Sequence, residues 1–324
     1  MSKLVGEFKT HYFNRIEAAH LLGEFSYFVE ENEDTDEPDV MEEDSEALPQ
    51  SSPRVSIVEF LEKLKKASNC YGKIFHEKFD DKRINRRVNN LNRILARPTY
   101  IFLMHFMDSD WHVNTKLNLL RLFEAFMLRR HICEMRTSEH DTIISRMMKY
   151  LDTPDIIQVC KDHLMVHFPD DNNFEIYLPK HYFKGKLVAR AKYVLEQIEY
   201  FKTGNTDEFT INQGNEVHLE HIIPETINTK KSKYEFGNWE EYLGNNAIAL
   251  HKIYVHLIGN MTLLSAPLNI SASNNPFQDK QEKYQLSNFE ITNELVNLSD
   301  FKFDGVGERC RQLAKIACQI WTLN

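Results

Sequence analysis

Positions 217–280 hold the residues best equipped for chemistry. Glu220, His221 and Pro224 spell E-H-I-x-P, positions 258–264 read I-G-N-x-T-L-L, Asn269 follows, and 273–280 read S-N-x-P-F-x-x-K. Hydrolysis of a phosphodiester needs this kind of set. A water must lose a proton near neutral pH, and histidine is the side chain whose proton affinity suits that step. Charge gathers on the phosphate and the leaving oxygen, which a divalent cation neutralises. Hard cations take oxygen ligands, and a glutamate and an asparagine carbonyl supply them. Neighbours on a strand point to opposite faces, so Glu220 and His221 share a site only at a strained strand end. One histidine, one acid and an amide-rich loop thus make a minimal kit for a one-metal nuclease.

The supporting elements can be read from pattern. Positions 216–223 alternate in part and stop at Pro224, as a strand does. On that strand His218 shares a face with Glu220 and not with His221. Asn- and Gly-rich loops are expected from there to Asn260, with Gly259 in a left-handed turn. Positions 280–286 and 307–321 read as helices. Upstream the pattern is helical from about 55 to 151. Ile57, Phe60, Leu61 and Leu64 recur at helix spacing, and 117–132 (LNLLRLFEAFMLRRHI) is apolar on more than one face, as a central bundle helix would be. Ser138 and Asp141 mark one helix start and Thr153-Pro154-Asp155 another. A turn is expected at 169–172, then a helix over 186–201. The expected fold is α+β, mainly α: a helical connector over 1–205, then a small nuclease domain over 206–324 with a C-terminal helix. The stretch 30–53 is acidic and proline-containing and is read as a disordered loop.

These motifs resemble the HNH (ββα-metal) nucleases. That family shows D-H-I-x-P on a hairpin, N-L at the next element, and a last Asn or His nine residues after the middle Asn, the spacing of Asn260 and Asn269. Many members place zinc-binding cysteines five and eight residues after the middle Asn. Ser265 and Leu268 stand there, so no structural zinc is expected. The variant E-H-I-x-P, I-G-N-x-T-L-L and S-N-x-x-F-x-x-K-x-x-x-Y is similar to the C-terminal nuclease domain of GmrSD-type modification-dependent restriction enzymes, also found in SspE-type defence proteins. Similarity extends over about 55–324 and takes in 123–133, 189–199 and 309–321, with either Arg309 or Arg311 as the family's arginine. The resemblance implies His221 as general base, Asn260 as the residue orienting its loop, and Asn269 and Glu220 as ligands of one Mg2+ or Mn2+. Glu220 replaces the usual Asp, which changes its reach by about 1.5 Å. His218, His256, Asn274 and Lys280 are candidate supporting residues. His256 lies where relatives often carry histidine; Lys280 would touch phosphate or pack.

Net charge is −9, but 30–46 alone carries eleven acids and no base, so elsewhere 39 bases face 37 acids. The overall charge therefore does not exclude a nucleic-acid partner. Lys82, Arg83, Arg86, Arg87 and Arg93, interleaved with asparagines, form a basic helix suited to DNA phosphate or to docking a partner; a solvated, salt-bridged face is an equal reading. Arg129 and Arg130 are expected to pair within the bundle. Five scattered cysteines without a C-x-x-C pair read as free buried thiols. No run of about 18 apolar residues is present and the N-terminus lacks a signal-peptide core, so a cytoplasmic protein with no membrane contact is expected. The family's N-terminal nucleotide-hydrolysing motif (D-G-Q-Q-R-type) and a P-loop are both missing, so the sequence is either a fragment or, the preferred expectation since it opens with Met1, the nuclease half of a system with a separate NTPase sensor subunit. The leading expectation is a DNA endonuclease, cutting one strand or both, in an antiviral defence system. The alternative is a DNA-binding or regulatory subunit whose site has lost catalysis.

Overall fold

The computed structural model describes residues 57–204 and 216–323. The acidic stretch 30–53 lies outside them. Among the described residues the architecture is mainly helical, with one two-stranded sheet. The chain divides into two compact units. Among the described residues, the first holds 57–89, then Arg97–Leu119 and Thr137–Cys160; the second holds Asn90–Ala96, Leu120–Arg136, 161–204 and 216–323.

In the first unit α1 (Ile57–His76) packs on α3 (Tyr100–Phe106), and α3 packs on α5 (Thr137–Arg146). The basic helix α2 (Lys82–Arg93) buries Ile84 and Val88 here, alongside Cys70, Ile74, Phe102, Phe106 and Ile144.

The second unit takes the latter half of α4 (Val113–Ile132), where Phe123, Phe126, Met127 and Leu128 are all buried, as an apolar surface on several faces requires. Arg129 and Arg130 pair internally, as expected. Arg129 donates to the carbonyls of Pro169 and Cys318, both at 3.1 Å, and Arg130 to that of His167 at 2.8 Å. The expected turn at 169–172 is instead a helix start. The Asp170 side chain accepts the N–H of Asn173 at 2.7 Å and caps α7 (Asp171–Tyr177); Asp serves turns and N-caps alike, so its presence alone did not separate them. After α6 (Ile156–Met165) and α7 comes α8 (Val188–Lys202), whose buried Glu199 carboxylate accepts the N–H groups of Glu290 and Ile291 at 2.8 and 3.0 Å.

Strand β1 (Val217–His221) pairs antiparallel with β2 (Met261–Ser265), with His221 opposite Met261 and Val217 opposite Ser265. The stretch between them holds three short helices where loops were expected: α9 (Lys230–Glu235), α10 (Trp239–Leu243) and α11 (Ala247–Tyr254). Asn238 and Asn246, which suggested loop, are the left-handed residues that start α10 and α11; asparagine tolerates that backbone, and helices this short show little periodicity. Past β2 come α12 (Ala266–Ala272), α13 (Phe277–Tyr284), α14 (Glu290–Asn293) and the terminal α15 (Phe303–Ile320).

Helix α15 lies across the turn 258–260 and on α7 and α8. Arg309, buried in it, donates to the carbonyls of Gly259 (3.0 Å), Met261 (2.5 Å) and Ile291 (3.1 Å), whereas Arg311 is exposed and paired with Glu308. Arg309 is therefore the structural arginine of the pair. Gly259 does not take the left-handed backbone expected of it. It is needed for close approach: a Cβ there would sit 2.7 Å from the Cys310 sulfur and 2.8 Å from its nitrogen, and nearer still to the Val306 carbonyl.

Two outcomes follow. Gly259→Val is expected to lower stability by about 1–3 kcal/mol or more, since helix backbone cannot yield to the added carbons; thermal denaturation measures it. His181 is buried, and burial, then the Arg190 charge, pushes its proton affinity down to about 4. Below pH about 6.5 the unfolded chain gains a proton that the folded chain refuses. Its stabilising effect is complete above that pH and falls away toward pH 4. Urea midpoints at pH 7.5 and 5 should differ less for His181→Leu than for the parent.

Candidate active site

The end of β1 is held by one asparagine. Asn260 is fully buried; its side-chain Oδ1 accepts the N–H of Ile223 at 2.8 Å, and Nδ2 donates to the carbonyls of Ile223 and Val255, both at 2.9 Å. Its backbone carbonyl accepts the N–H of Ile222 at 2.9 Å. The segment leaving β1 and the segment leaving α11 are thereby tied through one side chain. Pro224, three residues past the strand end, has its carbonyl bonded to the buried His251 ring at 2.7 Å.

This latch brings His221 beside His256. Their ring centroids are 5.6 Å apart and nearly perpendicular. Glu225 lies between them, with a carboxylate oxygen 3.8 Å from His221 Nε2 and 3.6 Å from His256 Nδ1. Both of those nitrogens are buried without a hydrogen-bond partner. Burial, and after it the charges of His256, Lys280 and His251, pushes His221 down to about 3, so its imidazole is neutral at physiological pH. Burial also lowers His256. Its backbone carbonyl accepts from Phe183 at 2.9 Å, and the Tyr182 ring stands edge-on at 4.9 Å. Among the described residues, His221, Glu225 and His256 form a group able to hold a metal ion, their ligand atoms all within 4.8 Å of one another.

The opposite face of β1 is organised differently. Glu220 is buried and accepts hydrogen bonds from Lys280 at 2.6 Å and from the Tyr284 hydroxyl at 3.2 Å, both on α13. Lys280 also donates to the His221 carbonyl at 2.8 Å. Burial pushes the Glu220 carboxyl up and the Lys280 amine down, and each charge holds the other's shift back. On the same face His218 Nδ1 stands 3.3 Å from the Asn269 amide nitrogen, and Asn269 Oδ1 is buried without a partner. The supposed ligands Glu220 and Asn269 therefore lie with Lys280 and His218 respectively. Asn274 gives its backbone carbonyl to the Trp239 indole at 2.9 Å, and the residue at the α13 cap is Pro276.

Glu225 was not singled out from sequence. It lies four residues after His221 in an irregular segment, and only the fold makes that spacing meaningful. On the basic helix, Arg83 is exposed and held by Asp81 at 2.7 Å, and Lys82 is exposed. Arg86 and Arg87 both have interaction partners. Arg93 is largely buried in an ion pair with Glu196 at 2.5 Å and stacks on Tyr193, so its charge is committed inside the second unit.

All five cysteines are buried and free, as read from sequence. No helix among the described residues is long and apolar enough to cross a membrane.

No curated protein matches the chain. A family model does. Residues 168–316, which contain both strands, the Asn260 latch and every member of the His221 group, match the C-terminal domain of GmrSD restriction endonucleases.

Proposed function

We propose that this chain is the nuclease component of a modification-dependent DNA restriction system, hydrolysing phosphodiesters at the end of β1. The observation that carries the reading is the Asn260 latch, which holds the buried, unpartnered Nε2 of His221 beside His256 and Glu225. The order β1, β2, α12 supports a ββα-metal site of the HNH kind, and the family match supports DNA as substrate. His221 is the essential imidazole: neutral, fixed in place, and with a nitrogen that nothing in the protein uses. When bound, a divalent cation supplies charge neutralisation at the phosphate and leaving oxygen. The orphaned nitrogens of His221 and His256, with the Glu225 carboxylate, fit such an ion. Lys280 holds the His221 carbonyl and so fixes the strand end from the opposite face. The exposed side chains of Lys82 and Arg83 on α2 are proposed to meet phosphate or a partner. The reading includes a separate NTPase that senses the modification, with both proteins acting in the cytoplasm.

A regulatory subunit without catalysis is the second reading, and one observation favours it: Glu220, the family's acidic position, is tied up by Lys280 and Tyr284. Plasmid incubated with the purified chain and Mg2+ or Mn2+, alone and with a co-encoded NTPase, separates the two. Conversion of supercoiled plasmid supports the nuclease; DNA binding with no cleavage under any of these conditions defeats it.

Within that assay His221→Ala is expected to lower the cleavage rate by about 10²-fold or more, with folding and DNA affinity near those of the parent. Cleavage within tenfold of the parent would remove His221 from the site. Lys280→Met is expected to cost about 3–5 kcal/mol of stability, because it leaves Glu220 buried without its partner. Lys280 has no exposed surface, so the dependence of DNA affinity on salt should keep its slope in Lys280→Gln. A slope reduced by about one unit would instead mark a phosphate contact.

A further inference from the structure

The three side chains His221, Glu225 and His256 differ from the oxygen-rich ligand set that the motifs imply. We propose that His221 Nε2, His256 Nδ1 and the Glu225 carboxylate are the ligands of a transition-metal dication of the Mn2+ or Ni2+ class, a site that discriminates against Mg2+. On this assignment His221 serves the cation in place of the proton-accepting role its motif implies. The inference deepens the endonuclease reading of the same site, and it is tested without nucleic acid so that the two can fail separately.

Geometry carries it first. Ligands bound to one ion at about 2.0–2.2 Å lie roughly 3–4 Å from one another. The carboxylate oxygen is 3.8 and 3.6 Å from the two imidazole nitrogens, and all three ligand atoms lie within 4.8 Å of one another. Small side-chain rotations close the set. The orphaned nitrogens carry it second. The His256 side chain is only 8% exposed, and its Nδ1, like His221 Nε2, is buried with no hydrogen-bond partner. Buried polar atoms normally find partners, so two left facing one carboxylate call for a missing group. Positioning is the third support. Asn260 Nδ2 bonds at once to the Ile223 carbonyl, between His221 and Glu225, and to the Val255 carbonyl, next to His256. One buried side chain therefore fixes both ligand-bearing segments before any ion arrives.

The donor set gives the class of ion. The two imidazole nitrogens favour first-row transition dications over Mg2+, which prefers an oxygen octahedron and keeps its waters, and the carboxylate oxygen is the donor type that suits Mn2+. Glu225 is the exposed member, with 60% of its side chain accessible, so the site opens to solvent on the carboxylate side. That leaves positions for oxygen atoms of another molecule.

Titration calorimetry of the purified full-length chain with Mn2+ and with Mg2+, in the absence of DNA, tests this. One equivalent of Mn2+ is expected, bound at least tenfold more tightly than Mg2+. His256→Ala and Glu225→Gln should each weaken Mn2+ by roughly tenfold or more, with circular dichroism and melting temperature confirming that each variant is folded. Asn269→Ala, which removes the ligand implied by the motifs, should bind as the parent does. So should His163→Gln, which removes a ring 6.1 Å from that of His167 by centroids. Loss of binding in Asn269→Ala or His163→Gln, with parental binding in the His256 and Glu225 variants, would overturn the assignment, as would equal affinity for Mg2+. Mn2+ binding without any DNA cleavage would leave the cation site standing and sink the endonuclease. Cleavage with no preference for Mn2+ would do the reverse.

Discussion

The buried side chain of Asn260 is the interaction on which the site depends. Its amide meets one N–H and two carbonyls, and its backbone carbonyl meets another N–H, so its hydrogen-bonding capacity is spent on backbone groups that neither strand can satisfy. Irregular chain emerging from β1 would otherwise leave Ile223 with unpaired polar groups in an apolar setting, each costing about 1–3 kcal/mol. The latch removes that cost and fixes the direction of the chain just past His221. A residue of the same size without the carbonyl or the amide would leave one side unpaired.

Around that latch the two faces of β1 do different work. One presents His221 toward His256 and Glu225. The other buries Glu220 under Lys280 and Tyr284, where the amine also holds the His221 carbonyl. A buried ion pair adds little net stability over apolar packing, yet removing one member is severe. Such a pair is thus well suited to fixing a strand end. Behind both faces, Arg309 gathers the carbonyls of Gly259, Met261 and Ile291, joining the terminal helix to the start of β2. The site is positioned by polar side chains reaching backbone, and the helices bring those side chains to it.

Much of this was legible in the sequence. The strand at 217–221 could be read from alternation and Pro224, α4 from its apolar faces, and α15 from its length and periodicity. His221 and Asn260 stood out because their motifs are short-range. Glu225 did not, because it meets His256 across 31 positions of chain through a tertiary contact with no local signature. Glu220 and Lys280 each stood out alone, one as a metal ligand and the other as a phosphate contact or packing residue, and only the fold brings them to 2.6 Å of each other. Helices α9 to α11 escaped because asparagine and glycine mark helix starts and loops alike. Gly259 was rightly singled out for the wrong reason: its neighbours in α15 demand a missing Cβ, and no backbone rule close to it could reveal them.

The buried cysteines have a practical consequence. Burial pushes Cys70, Cys310 and Cys318 up to about 11 and Cys133 and Cys160 up to about 12, so at neutral pH almost none of these thiols is in the nucleophilic thiolate form. A maleimide dye would therefore find a cysteine introduced on the surface far sooner than any native one. The protein comes with a silent thiol background, and single-site labelling for fluorescence can be done without first mutating any of the five away.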